Sequence, residues 1–259
     1  LSVDARQYLY DYNKEYTRIM PQLNILFKKP SLRSKIYKYL NASYVHLVKE
    51  EETLGFINAQ FGYANNRTIN PFSAYSSIEK GYNYSKIQLG GFFRKMINQK
   101  KQLNIRGYIG YVNTEDNIYN LKMSAWNGSD DYMFTERVFS RDNSSNHNLP
   151  YQQQYFSREG GLKHFTNDSL NSSQFLASTY IDYNLLKPIS LYAELGTNGS
   201  KIAYGSGFTF NTIANGPGFN GGLQLYFPLI TEEGVVNFDN YSNVLRFNLY
   251  FNLGGLKFD

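Results

Sequence analysis

The chain has 259 residues, a formal net charge of +5, no cysteine and a mean hydropathy of −0.48, yet 17% of it is aromatic, with 24 Tyr and 19 Phe. These figures exclude disulfide and thiolate–metal schemes, and the longest apolar runs, such as Leu225 to Ile230, fall far short of the roughly 20 residues that a membrane helix needs. Lys and Arg are scattered in loops, as at Lys28-Lys29 and Lys100-Lys101, without a basic helix or an aromatic–basic groove, so nucleic acid is not an expected partner.

At the start, Leu1 opens onto Asp4, Arg6 and repeated Tyr with no apolar signal segment, so the chain reads as a processed product or a fragment. Strands are predicted near 18–28, 34–48, 54–64, 82–96, 101–113, 117–127, 173–184, 188–197, 201–212, 219–228 and 243–254. In the third of these, Ile57, Ala59, Phe61 and Tyr63 alternate with Asn58, Gln60 and Gly62. Further on, Leu103, Ile105, Ile109 and Tyr111 oppose Asn104, Arg106 and Tyr108, and Ile189, Leu191, Ala193 and Leu195 oppose Tyr192, Glu194 and Gly196. The last segment is the most regular: Leu245, Phe247, Leu249, Phe251 and Leu253 alternate without a break against Arg246, Asn248, Tyr250 and Asn252. Successive side chains of a strand face opposite sides, so each segment has one oily face and one carrying charge, amide or phenol.

A closed barrel in a bilayer demands that dyad on every strand, oily towards lipid and polar towards the lumen. Abundant Tyr suits girdles at two membrane interfaces, although a Tyr-rich soluble sandwich shares the statistic. Bacterial single-chain barrels nearly always close with an even number of strands. The eleven segments therefore call for a twelfth within Ser2–Tyr16 or Tyr151–Phe165, and the N-terminal stretch is the better fit. The expected fold is all-β: a single domain over 1–259, an antiparallel transmembrane outer-membrane β-barrel of about twelve strands with a long insert at about 128–172. Its lumen-facing candidates are Asn104, Arg106, Tyr192, Glu194, Gln224, Arg246 and Asn248. If the last strand descends to the periplasm, 229–242 and 128–172 lie outside, and Ala64 to Gly81 falls on the periplasmic side, where short turns are expected. That stretch holds either an uncounted strand or a true elaboration. Asn198-Gly199 signals a hairpin, and Asn215-Gly216-Pro217-Gly218 cannot continue a strand.

Catalytic constellations fail on inspection. His46, His147 and His164 begin no His-Glu-x-x-His helix. A zinc set from His147, His164 and Asp142 or Glu159 lacks diagnostic spacing, and the acidic runs Asp130-Asp131 and Glu50-Glu51-Glu52 read as solvated loops. No Gly-x-Ser-x-Gly elbow exists to support a Ser nucleophile. The expectation is that the chain is not an enzyme and binds no metal or cofactor. Paired glycines such as Gly90-Gly91 and Gly160-Gly161 lack the helix of a phosphate loop and read as curvature, bulges or close backbone approach.

The insert carries Asp131-Tyr132-Met133-Phe134, then Ser140-Arg141, then Gln152 to Tyr155, Phe156, Ser157 and Arg158-Glu159-Gly160-Gly161-Leu162-Lys163. This series resembles a stretch in the C-terminal barrel of large outer-membrane metallopeptidase-like proteins of the Bacteroidota, gluzincins similar to aminopeptidase N. Lys29 to Ser34, Gln102 to Gly110, Tyr180 to Tyr183 and Tyr226 to Leu229 extend the likeness over most of the chain, while Ser140-Arg141 departs from that family's Gly-Arg-Ser. The resemblance implies a zinc peptidase domain ahead of the barrel, which this chain lacks, so no catalytic residue carries over and only a full-length parent would be a zinc metallopeptidase. The expected function is a non-catalytic anchor or scaffold in the bacterial outer membrane, as the membrane part of such a protein or a subunit of an envelope complex. The alternative is a porin-like channel for small polar solutes, and an enzyme within the barrel wall ranks third. Expected partners are outer-membrane lipid and lipopolysaccharide, with other envelope proteins reached through the insert. The insert is expected to be ordered as a plug or docking element anchored by Tyr132, Phe134, Tyr155 and Phe156, with Arg158 and Glu159 pairing at the lumen wall.

Overall fold

The computed structural model describes residues 1–11, 14–29, 35–49, 52–98, 101–115, 121–125, 132–133, 159–163, 170–172, 174–216, 219–237 and 245–252. Thirteen strands form one sheet: β1 (Ser2–Asp11), β2 (Lys14–Lys28), β3 (Ile36–Lys49), β4 (Glu52–Asn65), β5 (Phe72–Gly81), β6 (Tyr84–Met96), β7 (Gln102–Thr114), β8 (Phe175–Leu186), β9 (Ile189–Thr197), β10 (Ile202–Gly216), β11 (Phe219–Thr231), β12 (Gly234–Val235) and β13 (Arg246–Asn252). Every pairing is antiparallel and joins neighbours in sequence, except that β13 also lies on β11. Since β10 pairs one edge of β11, the two-residue β12 and β13 share its other edge, which leaves twelve strand positions in an up-and-down meander. Among the described residues no pairing joins β1 to β13, and no helix is long and apolar enough to cross a membrane.

Two sequence expectations need correction. Phe72–Gly81 is a strand, where the sequence reading has an insert over 64–81. Its outward side chains include Ala74, Ser76 and Lys80, so the oily face is too weak to register as alternation. Conversely, the segment predicted as a strand at 117–127 is none in its described part: Leu121, Met123 and Ala125 are buried, and Met123 bridges Ser172 within the connection itself. That connection runs from β7 to β8 over residues 115–174, longer than the 128–172 expected. The strand expected in Ser2–Tyr16 is present as β1.

The faces of this sheet are inverted relative to a water-soluble protein. Lys86 is 3% exposed while its neighbours Ile87 and Leu89 are 53% and 54% exposed; Glu194 is 4% exposed beside Leu195 at 48%. Registers such as Ile78↔Ile87↔Tyr111 and Phe93↔Ile105↔Ile181 run bands of apolar side chains along the outer face. On the other face, Arg94↔Asn104↔Asp182↔Tyr192 and Arg106↔Tyr180↔Glu194 continue from strand to strand. Burial of charge against exposure of Leu and Ile reverses the usual sorting.

Strand direction fixes where the connections lie. The start of β1 and the end of β13 share one end with the turns at 66–71, 97–101 and 187–188; the strand ends that flank the 115–174 connection and the β11–β13 link lie at the opposite end. The apolar core sits towards that second end, where Val45, Leu47, Phe56, Tyr84, Val112 and Leu176 of the strands close on Leu121, Met123, Ala125, Tyr132, Leu162 and Leu170 of the connection.

Candidate functional site

The described pieces of the long connection pack on the buried face of the sheet, and their contacts go round that face. Tyr132 is buried against Phe56 and Tyr84, with ring centroids 6.2 Å from each. Its carbonyl accepts a hydrogen bond from the Tyr16 hydroxyl, its own hydroxyl donates to Glu79, and Lys86 Nζ approaches that hydroxyl at 3.2 Å. The next carbonyl, of Met133, accepts from Arg18 of β2. Outside the strands, burial above all, with the charge of Glu79 beside it, holds the Tyr132 phenol well above its ordinary range, so it remains a neutral hydrogen-bonding group.

Glu159 is the second fastening point. Its carboxylate forms an ion pair with Lys86 of β6, accepts from Gln88 Nε2 at 2.9 Å and accepts the Ser124 amide N–H. Arg106 of β7 donates to the carbonyls of Glu159 and Gly160, and Ser178 of β8 donates to the Gly160 carbonyl at 2.5 Å. The third point is Lys163, whose amide N–H donates to both carboxylate oxygens of Glu194 at 3.0 and 2.9 Å, while its Nζ lies 3.3 Å from the Tyr180 ring centroid. Strands β2, β5, β6, β7, β8 and β9 thus converge on two short pieces of one connection, 132–133 and 159–163, which requires the sheet to curl around them.

Local backbone makes the close approach feasible. A Cβ on Gly160 would stand 2.5 Å from the Ala125 carbonyl oxygen, and Gly161 adopts a left-handed φ of +62° beside the Arg106 guanidinium. On the wall, Gly196 leaves room for Leu162, whose Cδ1 would lie 2.7 Å from a Cβ there.

Towards the end where β1 starts and β13 stops lies a cavity of about 670 Å³ walled by strands β6 to β11. Of the residues singled out from the sequence, Asn104, Arg106 and Gln224 line it. Tyr192, Glu194 and Arg246 are buried on the same face, and Asn248 lies beside Gln224, its Nδ2 3.5 Å from that Oε1. Among the insert residues, Tyr132 and Glu159 enter the network, with Glu159 paired to Lys86; Phe134, Tyr155, Phe156 and Arg158 lie outside the described residues, as do His147 and His164. His46 is half-buried in β3. Among the described residues no group of three or more His, Cys, Asp or Glu could hold a metal ion.

Sequence reasoning missed Arg18, Glu79, Lys86 and Lys163. The signal existed for two of them: Glu79 and Lys86 occupy inward positions of adjacent strands and face each other in register as a charge pair beside the β5–β6 turn. The chain matches no family model, and no curated protein is significantly similar to it.

Proposed function

We propose that this chain is a transmembrane β-barrel of a bacterial outer membrane, with the 115–174 connection folded into its lumen as a plug, and that it serves as a non-catalytic anchor or scaffold. The observation that carries the reading is the inversion of the two faces: Glu79, Lys86, Asp182 and Glu194 are buried, whereas Ile57, Ile87, Leu89, Ile109, Leu191 and Leu195 are exposed. An apolar mantle of this extent is unfavourable in water and favourable in hydrocarbon, where strands avoid unpaired backbone groups by closing on themselves. The wrapping of the sheet around the connection supports closure, since strands as distant in sequence as β2 and β9 reach one segment.

The test is extraction and migration. A closed barrel leaves the membrane only with detergent and migrates differently on gels before and after boiling; free solubility without detergent would overturn the proposal. A second reading, a channel for small polar solutes, is favoured by the cavity beside the plug. Planar-bilayer conductance separates the two: a plugged anchor is silent, a channel conducts steadily. The resemblance to gluzincin-type proteins supports assignment of the barrel to a metallopeptidase-like parent. A native product with extra mass ahead of Leu1 is the expected finding, and a product no longer than this chain leaves the role of subunit in an envelope complex.

A further inference from the structure

The cavity beneath the plug carries a charge imbalance that the anchor role does not use. Arg94, Arg106, Lys163 and Lys187 line it against a single carboxylate, Asp182. Part of that carboxylate is already engaged, since Asn104 Nδ2 donates to it. Arg94 Nε donates to Asn104 at 2.8 Å and Arg106 donates to two carbonyls, so the hydrogen-bond acceptors of both guanidinium groups are uncharged, while Asp182 attracts Arg94 and Lys163 at longer range. Arg94, Arg106 and Lys163 are buried or half-buried, where a cation attracts an anion more strongly than in water, and Lys187 stands exposed at the rim.

The rest of the lining is not that of a bare anion site. Asn184, Asn211, Gln224, Ser190 and Thr209 present amides and hydroxyls that both donate and accept, which is the chemistry that meets sugar hydroxyls. Phe92 and Tyr226 add ring surface on opposite walls, and about 670 Å³ lies within the range of small-solute pockets. We propose that this cavity binds an anionic sugar, one bearing a carboxylate or a phosphate, with Arg94 and Lys187 supplying charge and the amides holding its hydroxyls. The proposal rests on the barrel reading only in that a lipid-facing mantle leaves the lumen as the polar compartment.

The test is calorimetric titration of the full chain in detergent micelles with glucuronate, glucose 1-phosphate, glucose and inorganic phosphate. Glucuronate and glucose 1-phosphate are expected to bind, with glucose and inorganic phosphate at least about tenfold weaker, the scale of one lost charge-assisted hydrogen bond. Absence of binding by both anionic sugars, or equal binding of glucose or phosphate, overturns the proposal. Arg94→Gln and Lys187→Gln should each weaken binding roughly tenfold, whereas Asp182→Asn should tighten it by removing a like charge. Weakening by Asp182→Asn to the same degree would mark a merely structural effect and overturn it as well. Heat-dependent migration, followed on the same samples, reports the barrel independently of the site.

Discussion

Neutralising Glu159 isolates the fastening of the plug from the integrity of the wall. Its carboxylate meets Lys86, which is 3% exposed, and is itself only 18% exposed, so the pair is screened little by solvent. Removing one partner of a buried pair costs about 3–5 kcal/mol when the other charge is left without compensation, and here Glu79, which faces Lys86 in register, offsets part of it. Glu159→Gln offers one acceptor oxygen where the carboxylate uses Oε1 for Gln88 and Oε2 for the Ser124 amide, so it loses one of those bonds as well as the ion pair; with Glu79 offsetting part of the loss at Lys86, the cost is about 3 kcal/mol, or roughly a hundredfold shift from seated towards released plug. Two measurements read it. Planar-bilayer recordings should change from silence to intermittent opening, and protease in micelles should reach residues 159–163, which the wild type shields, while heat-dependent migration stays unchanged. Lys86→Met removes the same ion pair from the other side, so the double variant should release the plug by less than the sum of the two single variants. Costs that simply add, or recordings that stay silent in Glu159→Gln, would refute the fastening argument.

The inside–outside assignment predicts that Leu249→Arg hinders assembly, because an outward Arg near mid-membrane costs about 2–4 kcal/mol, and that Asn248→Arg on the same strand is mild; the fraction of heat-modifiable protein checks both, and reversed outcomes would shift the facing by one residue. The purified chain should show no chelator-sensitive aminopeptidase turnover, measured with a chromogenic amino-acid anilide, because it has no helical His pair with an adjacent Glu.

Legibility from sequence tracked the strength of the alternation. Strands such as Ile189–Thr197, where Ile189, Leu191 and Leu195 alternate with Ser190, Tyr192 and Glu194, are found in the structure close to their predicted limits. Phe72–Gly81 escaped because Ala and Ser do not make an oily face, and 117–127 misled because Leu121, Met123 and Ala125 alternate for a different purpose, packing inside the wall. Both errors fall between β4 and β8, one strand lost and one gained, so the parity of everything after them survived. The strand ends that flank 128–172 and 229–242 accordingly fall at a common end, opposite the start of β1 and the end of β13. The fastening network was less legible for a physical reason. Periodicity reports which face a residue occupies, whereas what Arg18, Arg106 and Glu194 meet on the connection are backbone groups, which side-chain patterning does not report.

That use of backbone groups carries a last prediction. Beside the side-chain fastenings at Lys86 and Glu79, the charges of Arg18, Arg106 and Glu194 are met by the carbonyls of Met133, Glu159 and Gly160 and by the amide of Lys163, which any side chain at those positions would leave in place. What must be conserved is the path of the chain, not most of its side chains. Met133→Leu, similar in volume, should therefore cost under about 1.5 kcal/mol. Gly160→Ala is different: its Cβ would lie 2.5 Å from the Ala125 oxygen and 2.7 Å from the Ala125 Cα, contacts that only backbone movement relieves. Gly161→Ala adds a left-handed residue with a side chain beside Arg106, at about 1–2 kcal/mol before the clash. Both alanine variants should open the plug in bilayer recordings and expose 159–163 to protease, with the barrel's migration intact. If Met133→Leu released the plug as readily as Gly160→Ala, side-chain packing rather than chain path would be holding it.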